Sequence, residues 1–186
     1  LVRGCNNKSG DLTNVFSPRW IYNQVNQGAN LGCCQGKLWE VLENHGAPNL
    51  YQLPYISGDY RTWDLNTNNW ISALSNRMNR FAPINITTGT GVSNLKQWLA
   101  NGHVAVVATY IHSFVYVRVG TNPSGSSPYA GQWVVSYLNG TSGGHAMTVV
   151  GYDDNLWVDI NNNGALDANE QGAFKVVNSW GTGYSN

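Results

Sequence analysis

The chain has 186 residues with ten Lys or Arg against ten Asp or Glu, so its formal charge is zero and only 11% of it is charged. That balance excludes the basic stripe a nucleic-acid binder needs, and a 42% hydrophobic share excludes a chain too polar to fold. No run of eighteen apolar residues occurs, so no membrane-spanning helix is expected. Polarity comes instead from Asn, Ser, Thr, Gln and Gly, a low-charge, Trp-rich composition compatible with a secreted protein.

In chain order, residues 1–15 read as a helix end and a loop. Ser17-Pro18 then opens a helix, because Ser is a good N-cap and Pro is favoured in the first turn. Trp20, Ile21 and Val25 form its apolar face and Gly28 ends it. Residues 30–36, NLGCCQG, read as a turn. Residues 37–45 read as a second helix, with Leu38 and Leu42 four apart and Gly46 as its stop. Residues 48–64 are irregular and aromatic, and a third helix is expected over 69–79 with Ile71, Leu74 and Met78 on one side.

The pattern changes near Pro83. Residues 84–88 are β-like, and Ser93 is expected to cap a short helix, 94–100, ended by Gly102. Strands follow at 103–109, 112–119, 132–138, 145–152 and 173–180, β-branched and aromatic runs separated by Gly, Ser, Pro and Asn. The chain therefore reads as α+β, with a mostly helical lobe at 1–82 and a mostly antiparallel β lobe at 83–186. The β lobe carries a polar, Asn-rich insert at 153–172.

Two residues in the last two strands carry chemistry. His145 follows Gly143 and Gly144, which have no side chains to keep a reacting chain away. The side-chain oxygen of Asn178 can accept a hydrogen bond from one imidazole nitrogen and leave the other facing a reactant. Trp180 could shield that bond from water.

The blocks GGHAMTVVGYDD and FKVVNSWGTG resemble the His and Asn blocks of the papain-like cysteine peptidases. FSPRWIYNQV, GCCQGKLWEVLENHGAP and LKQWLANGHVAVV are similar to further segments of that family in the same order, and the phrasing SPRWIYN is nearest to bacterial members. The resemblance implies a two-lobed fold, a helical lobe and an antiparallel β-barrel-like lobe with a cleft between. It implies cysteine endopeptidase activity through a thioester acyl-enzyme, with His145 as the base and Asn178 orienting it. It implies substrate-binding roles for Gly36, Gly144, Ala146 and Trp180, a polypeptide substrate, and a proregion or protein inhibitor as a further cleft partner. The family's Gln-x-x-x-x-x-Cys-Trp nucleophile block does not occur in the 186 residues, and Cys5, Cys33 and Cys34 do not fit it. The nucleophile is expected before Leu1, and the chain alone is expected to be inert. Cys33 matches a family cysteine whose disulfide partner would also lie upstream, while a Cys5–Cys34 bridge is an alternative pairing.

A second motif, DINNNGALDANE, fits the calcium-loop pattern D-x-[DN]-x-[DN]-G-x5-E. It assigns calcium to side chains of Asp159, Asn161 and Asn163, the carbonyl of Ala165, Asp167 through water, and both oxygens of Glu170. Gly164 would make the sharp turn. Because the loop joins the two strands that bear His145 and Asn178, calcium is expected to steady both. His45, His103 and His112 lack ligand spacing. Two rival readings stand beside the peptidase. One is a non-catalytic papain-like domain that binds peptides or partners. The other is a calcium-dependent adhesion or glycan-binding module, which would leave His145 and Asn178 far apart.

Overall fold

The computed structural model describes residues 12–120, 127–137 and 140–180, so Cys5 and the expected structure of residues 1–11 lie outside it. The chain divides into two compact units, Leu1–Pro83 and Ile84–Asn186. It is mixed α+β.

The first unit holds α1 (Pro18–Val25), α2 (Gln35–Asn44) and α3 (Thr67–Leu74). Ser17 caps α1 by accepting the Trp20 backbone N–H, and Pro18 supplies the fixed φ of the first turn. That start aims Trp20 into a core with Val41, Leu42, Leu53 and Ala73. The Trp20 indole N–H is not stranded there, since it donates to the Gly46 carbonyl at 2.9 Å. Trp70 packs against Trp20 with ring centroids 4.3 Å apart. Gly46 stops α2 with φ +69°, and a Cβ there would meet the Ala73 carbonyl oxygen at 1.9 Å. Both the turn and the close approach of α3 therefore require glycine. Helix α2 begins at Gln35, two residues before the expected start. Helix α3 stops five residues short of expectation because the chain turns back: the Asn76 amide bonds the Ala47 and Ser72 carbonyls, and the Met78 N–H donates to Leu42.

The second unit holds α4 (Gly89–Ala100), β1 (Ala105–Tyr110), a 3-10 turn (Ile111–Ser113), β2 (Val115–Arg118), β3 (Trp133–Tyr137), β4 (Gly144–Trp157) and β5 (Gln171–Val177). Residues 84–88 are not a strand. Asn85 accepts from the Thr87 N–H and hydroxyl and turns the chain. Thr88, not Ser93, caps α4 by accepting from the Gly91 N–H. Ser93 sits inside the helix, its hydroxyl donating back to the Gly89 carbonyl. Two glycines in the first turn hide this start from a propensity reading. Gly91 is needed nonetheless, because a Cβ there would lie 1.6 Å from the Asn85 carbonyl oxygen.

The strands form two antiparallel sheets, β1-β4-β5 and β2-β3. Among the described residues they do not close into the expected barrel. Strand β4 is central, and its register pairs Thr109 with His145, Val107 with Met147 and Ala105 with Val149. Since side chains alternate, His145, Met147 and Val149 share one face. Helix α4 packs on it through Leu95 and Leu99, which join Val149, Val107 and Phe174 in the core. Lys96 of α4 also pairs with Asp154 of β4.

Candidate active site

His145 lies at the start of the central strand, half-buried, on the face that α4 covers farther along. Asn178 follows the last residue of β5, whose Val177 pairs with Thr148. Counting back along β4 sets Asn178 beside Met147, within side-chain reach of His145. The imidazole Nε2 is 2.8 Å from Asn178 Oδ1. That same oxygen accepts the Ser179 backbone N–H at 2.7 Å. An acceptor of a backbone N–H must be the amide oxygen, so Nε2 carries the proton and donates. That tautomer leaves the lone pair on Nδ1, the ring nitrogen that can accept a proton. Trp180 covers the pair, its ring centroid 4.8 Å from that of His145 at 39°. Ser179 was invisible to motif reasoning, because its contribution is a backbone group.

The glycines before His145 serve different ends. Gly143 has φ +72°, and a Cβ on it would strike the His112 ring at 2.7–2.8 Å. A second imidazole thus packs against the turn that leads into the dyad strand, with Ser142 Oγ 3.5 Å from its Nδ1. Nothing in the sequence spacing signals that contact. Gly144 has nothing within 4 Å of a would-be Cβ, and Ala146 is exposed and paired with Ala108. Gly36 lies in the first turn of α2 in the first unit, also unobstructed.

Cys33 and Cys34 carry free thiols. Burial pushes the Cys33 thiol above its ordinary pKa, the neighbouring Cys34 pushes it further, and Lys37 opposes them weakly. That is the reverse of an activated nucleophile. The other histidines have local roles: His45 Nδ1 meets Gln24 Oε1 at 2.8 Å, and His103 stacks on Trp98 at 3.9 Å.

The insert closes on itself through its own side chains. Asp159 accepts the Asn163 and Gly164 backbone N–H groups. Asp167 Oδ2 accepts the side-chain amides of Asn161 and Asn163 at 2.7 and 2.9 Å. Glu170 is 5% exposed; its Oε1 takes the Ile160 and Asn161 N–H groups and its Oε2 that of Asp167. Among the described residues, no group of three or more His, Cys, Asp or Glu side chains gathers as a metal site. Two Asn amides do at Asp167 what a cation would do, and they present nitrogen where calcium needs oxygen. Half-turns of those two amides would swap the atoms.

No family model, curated protein or solved structure matches the chain.

Proposed function

We propose that this chain is the dyad-bearing part of a papain-like, two-lobed cysteine peptidase that hydrolyses polypeptides outside the cell. The observation that carries the reading is the 2.8 Å bond from His145 Nε2 to Asn178 Oδ1, with Asn178 held independently by Ser179. An orienting amide on one nitrogen and an open lone pair on the other are what a thiol-activating base requires. His145 takes the proton of an incoming cysteine thiol through Nδ1. The thiolate attacks the peptide carbonyl, and the imidazolium then protonates the leaving amine. Water releases the thioester by the same base. The cysteine is expected outside these 186 residues, since none of Cys5, Cys33 and Cys34 fits the family's nucleophile block. The short His–Asn distance disfavours an adhesion or glycan-binding module, which has no use for it.

The test is a peptide-cleavage assay on the protein together with its preceding residues. The expected outcome is activity that alkylation of a thiol abolishes, that His145→Ala abolishes, and that Asn178→Ala weakens less, because orientation is lost while the base remains. An active protein that tolerates His145→Ala refutes the mechanism. A protein with no cysteine opposite Nδ1 and no cleavage supports the non-catalytic, peptide-binding alternative instead.

We further propose calcium as a structural ion of the insert. The donor set is hard oxygen, from Asp159, Asn161, Asn163, Asp167, Glu170 and the Ala165 carbonyl, which suits calcium rather than a thiophilic metal. Binding raises stability by RT ln(1 + [L]/Kd), about 2.7 kcal/mol at a hundredfold excess over Kd. Identical melting curves with calcium and with chelator would leave the loop held by its amides alone.

A further inference from the structure

We propose that Asn163–Gly164 is a self-modifying site, where the chain cyclises, expels ammonia and leaves an aspartyl or isoaspartyl residue at position 163. The sequence holds three Asn-Gly pairs, Asn101–Gly102, Asn139–Gly140 and Asn163–Gly164. Asn139 lies outside the described residues, so the informative contrast is between the other two. At Asn101, the C-cap of α4, the Gly102 N–H donates to the Leu99 carbonyl. The nitrogen that would attack is tied into a helix end.

At Asn163 three groups surround the reacting atoms. The Gly164 N–H, the nucleophile, donates to a carboxylate oxygen, Asp159 Oδ2, at 2.8 Å. The Asn163 Oδ1, where negative charge develops, accepts the Ala165 N–H at 2.7 Å. The Asn163 Nδ2, the leaving nitrogen, lies 2.9 Å from Asp167 Oδ2. A proton acceptor on the nucleophile and a donor on the oxyanion are two parts of an acyl-transfer site, while Asp167 holds the side-chain amide in place. The site is also open. Asn163 and Gly164 are exposed, and Gly164 has φ +72° with nothing within 4 Å of a would-be Cβ.

The bonds balance without any oxidant or cofactor. The Gly164 N–Asn163 Cγ bond forms as the amide proton passes toward Asp159. The Cγ–Nδ2 bond then breaks, and ammonia leaves with that proton. Solvent water opens the cyclic imide at either carbonyl, giving an aspartyl or isoaspartyl link. The product loses the Nδ2 donor to Asp167 and adds a fourth carboxylate to Asp159, Asp167 and Glu170. Conversion thus loosens the amide-held loop and, on the calcium reading, strengthens its demand for a cation.

The test follows the gain in mass, NH exchanged for O, at each asparagine of the whole chain by peptide mapping, with a chemical assay for isoaspartate. The folded chain, incubated at mildly alkaline pH, is compared with the same chain unfolded in urea. The expected result is conversion of Asn163 at least about tenfold faster than Asn101, a barrier difference of about 1.4 kcal/mol, and no slower folded than unfolded. Asp159→Asn should slow the folded chain while leaving the unfolded rate unchanged, and Asn163→Gln should remove the mass gain. Asn163 that stays intact when folded but converts in urea would overturn the proposal, because the fold would then protect the site. An Asp159→Asn rate equal to that of the unaltered folded chain would overturn it too.

Discussion

Replacing Asn178 by Ala removes one hydrogen bond to His145 and leaves the ring half-buried beneath Trp180. A hydrogen bond of this kind contributes about 0.5–1.5 kcal/mol net, and a donor left without a partner adds to the loss. Ser179, whose N–H shares the same oxygen, is exposed, so water replaces that bond at little cost. The expected loss is about 1 kcal/mol, or about 4–8 °C in melting temperature for a unit near 100 residues. The specific readout is the imidazole: nitrogen-15 NMR should find the His145 proton on Nε2 and slow to exchange in the parent chain. In the variant that proton should exchange with solvent rapidly. A variant that melts like the parent and keeps a protected Nε2 proton would refute the dyad.

Gly143→Ala forces an L-residue into a left-handed conformation, roughly 1–2 kcal/mol, and pushes the new methyl into the His112 ring. His112→Ala in the same chain should recover the steric part and leave the backbone part, a double-mutant result that calorimetry can resolve. Alkylation under mild conditions should modify exposed Cys34 before Cys33, because the raised Cys33 pKa leaves less of it as thiolate; mass spectrometry with rising pH should show Cys33 reacting after Cys34. Asp59 is held below the ordinary carboxylate range, first by the Thr62 backbone N–H, then by the Thr62 side chain, the Arg61 N–H and Arg19. Its folded pKa lies below its unfolded one, so its contribution is fully present above the unfolded value and disappears as pH falls through the folded value. Asp59→Asn should therefore destabilise at neutral pH and make progressively less difference in acid, measured by urea unfolding across pH.

Local chemistry made α1 legible: a Ser-Pro start and an apolar face of Trp20, Ile21 and Val25 are written in nearby letters. The dyad was legible as a pair of blocks, since a Gly-Gly-His start and an Asn-x-Trp end each have distinctive neighbours. What the sequence obscured depends on contacts between distant segments. Helix α4 carries Gly91 in its first turn because the Asn85 carbonyl folds back against it, a contact that residue type alone does not reveal. Residues 111–113 turn instead of extending, with the Phe114 N–H donating to the Ile111 carbonyl and the Ser113 hydroxyl to that of Tyr110, and the His112 ring lying against distant Gly143. The loop motif assigns both Glu170 oxygens to a metal, and it gives no sign that those oxygens also accept the backbone N–H groups of Ile160, Asn161 and Asp167.

That last point bears on whether the loop governs the dyad. His145 and Trp157 stand at opposite ends of β4, twelve residues apart, at most about 40 Å at 3.3 Å per residue. The pairing of β4 with β5 shifts register twice between them, at Val149/Gly151 and between Asp153 and Trp157. Bulges absorb displacement by bending one strand against the other. Close to the dyad, by contrast, position is fixed by the β1 pairing of His145 with Thr109 and by the Val149 core under α4. Ordering the loop should therefore stabilise the far end of the hairpin without moving His145 against Asn178. The expectation is that calcium slows amide exchange at Trp157, Val158 and Glu170, raises the melting temperature, and leaves the His145 Nε2 proton exchanging as before. An equal gain in protection at Nε2 would mean that the two ends of β4 move as one rigid ladder, and that the bulges do not insulate them.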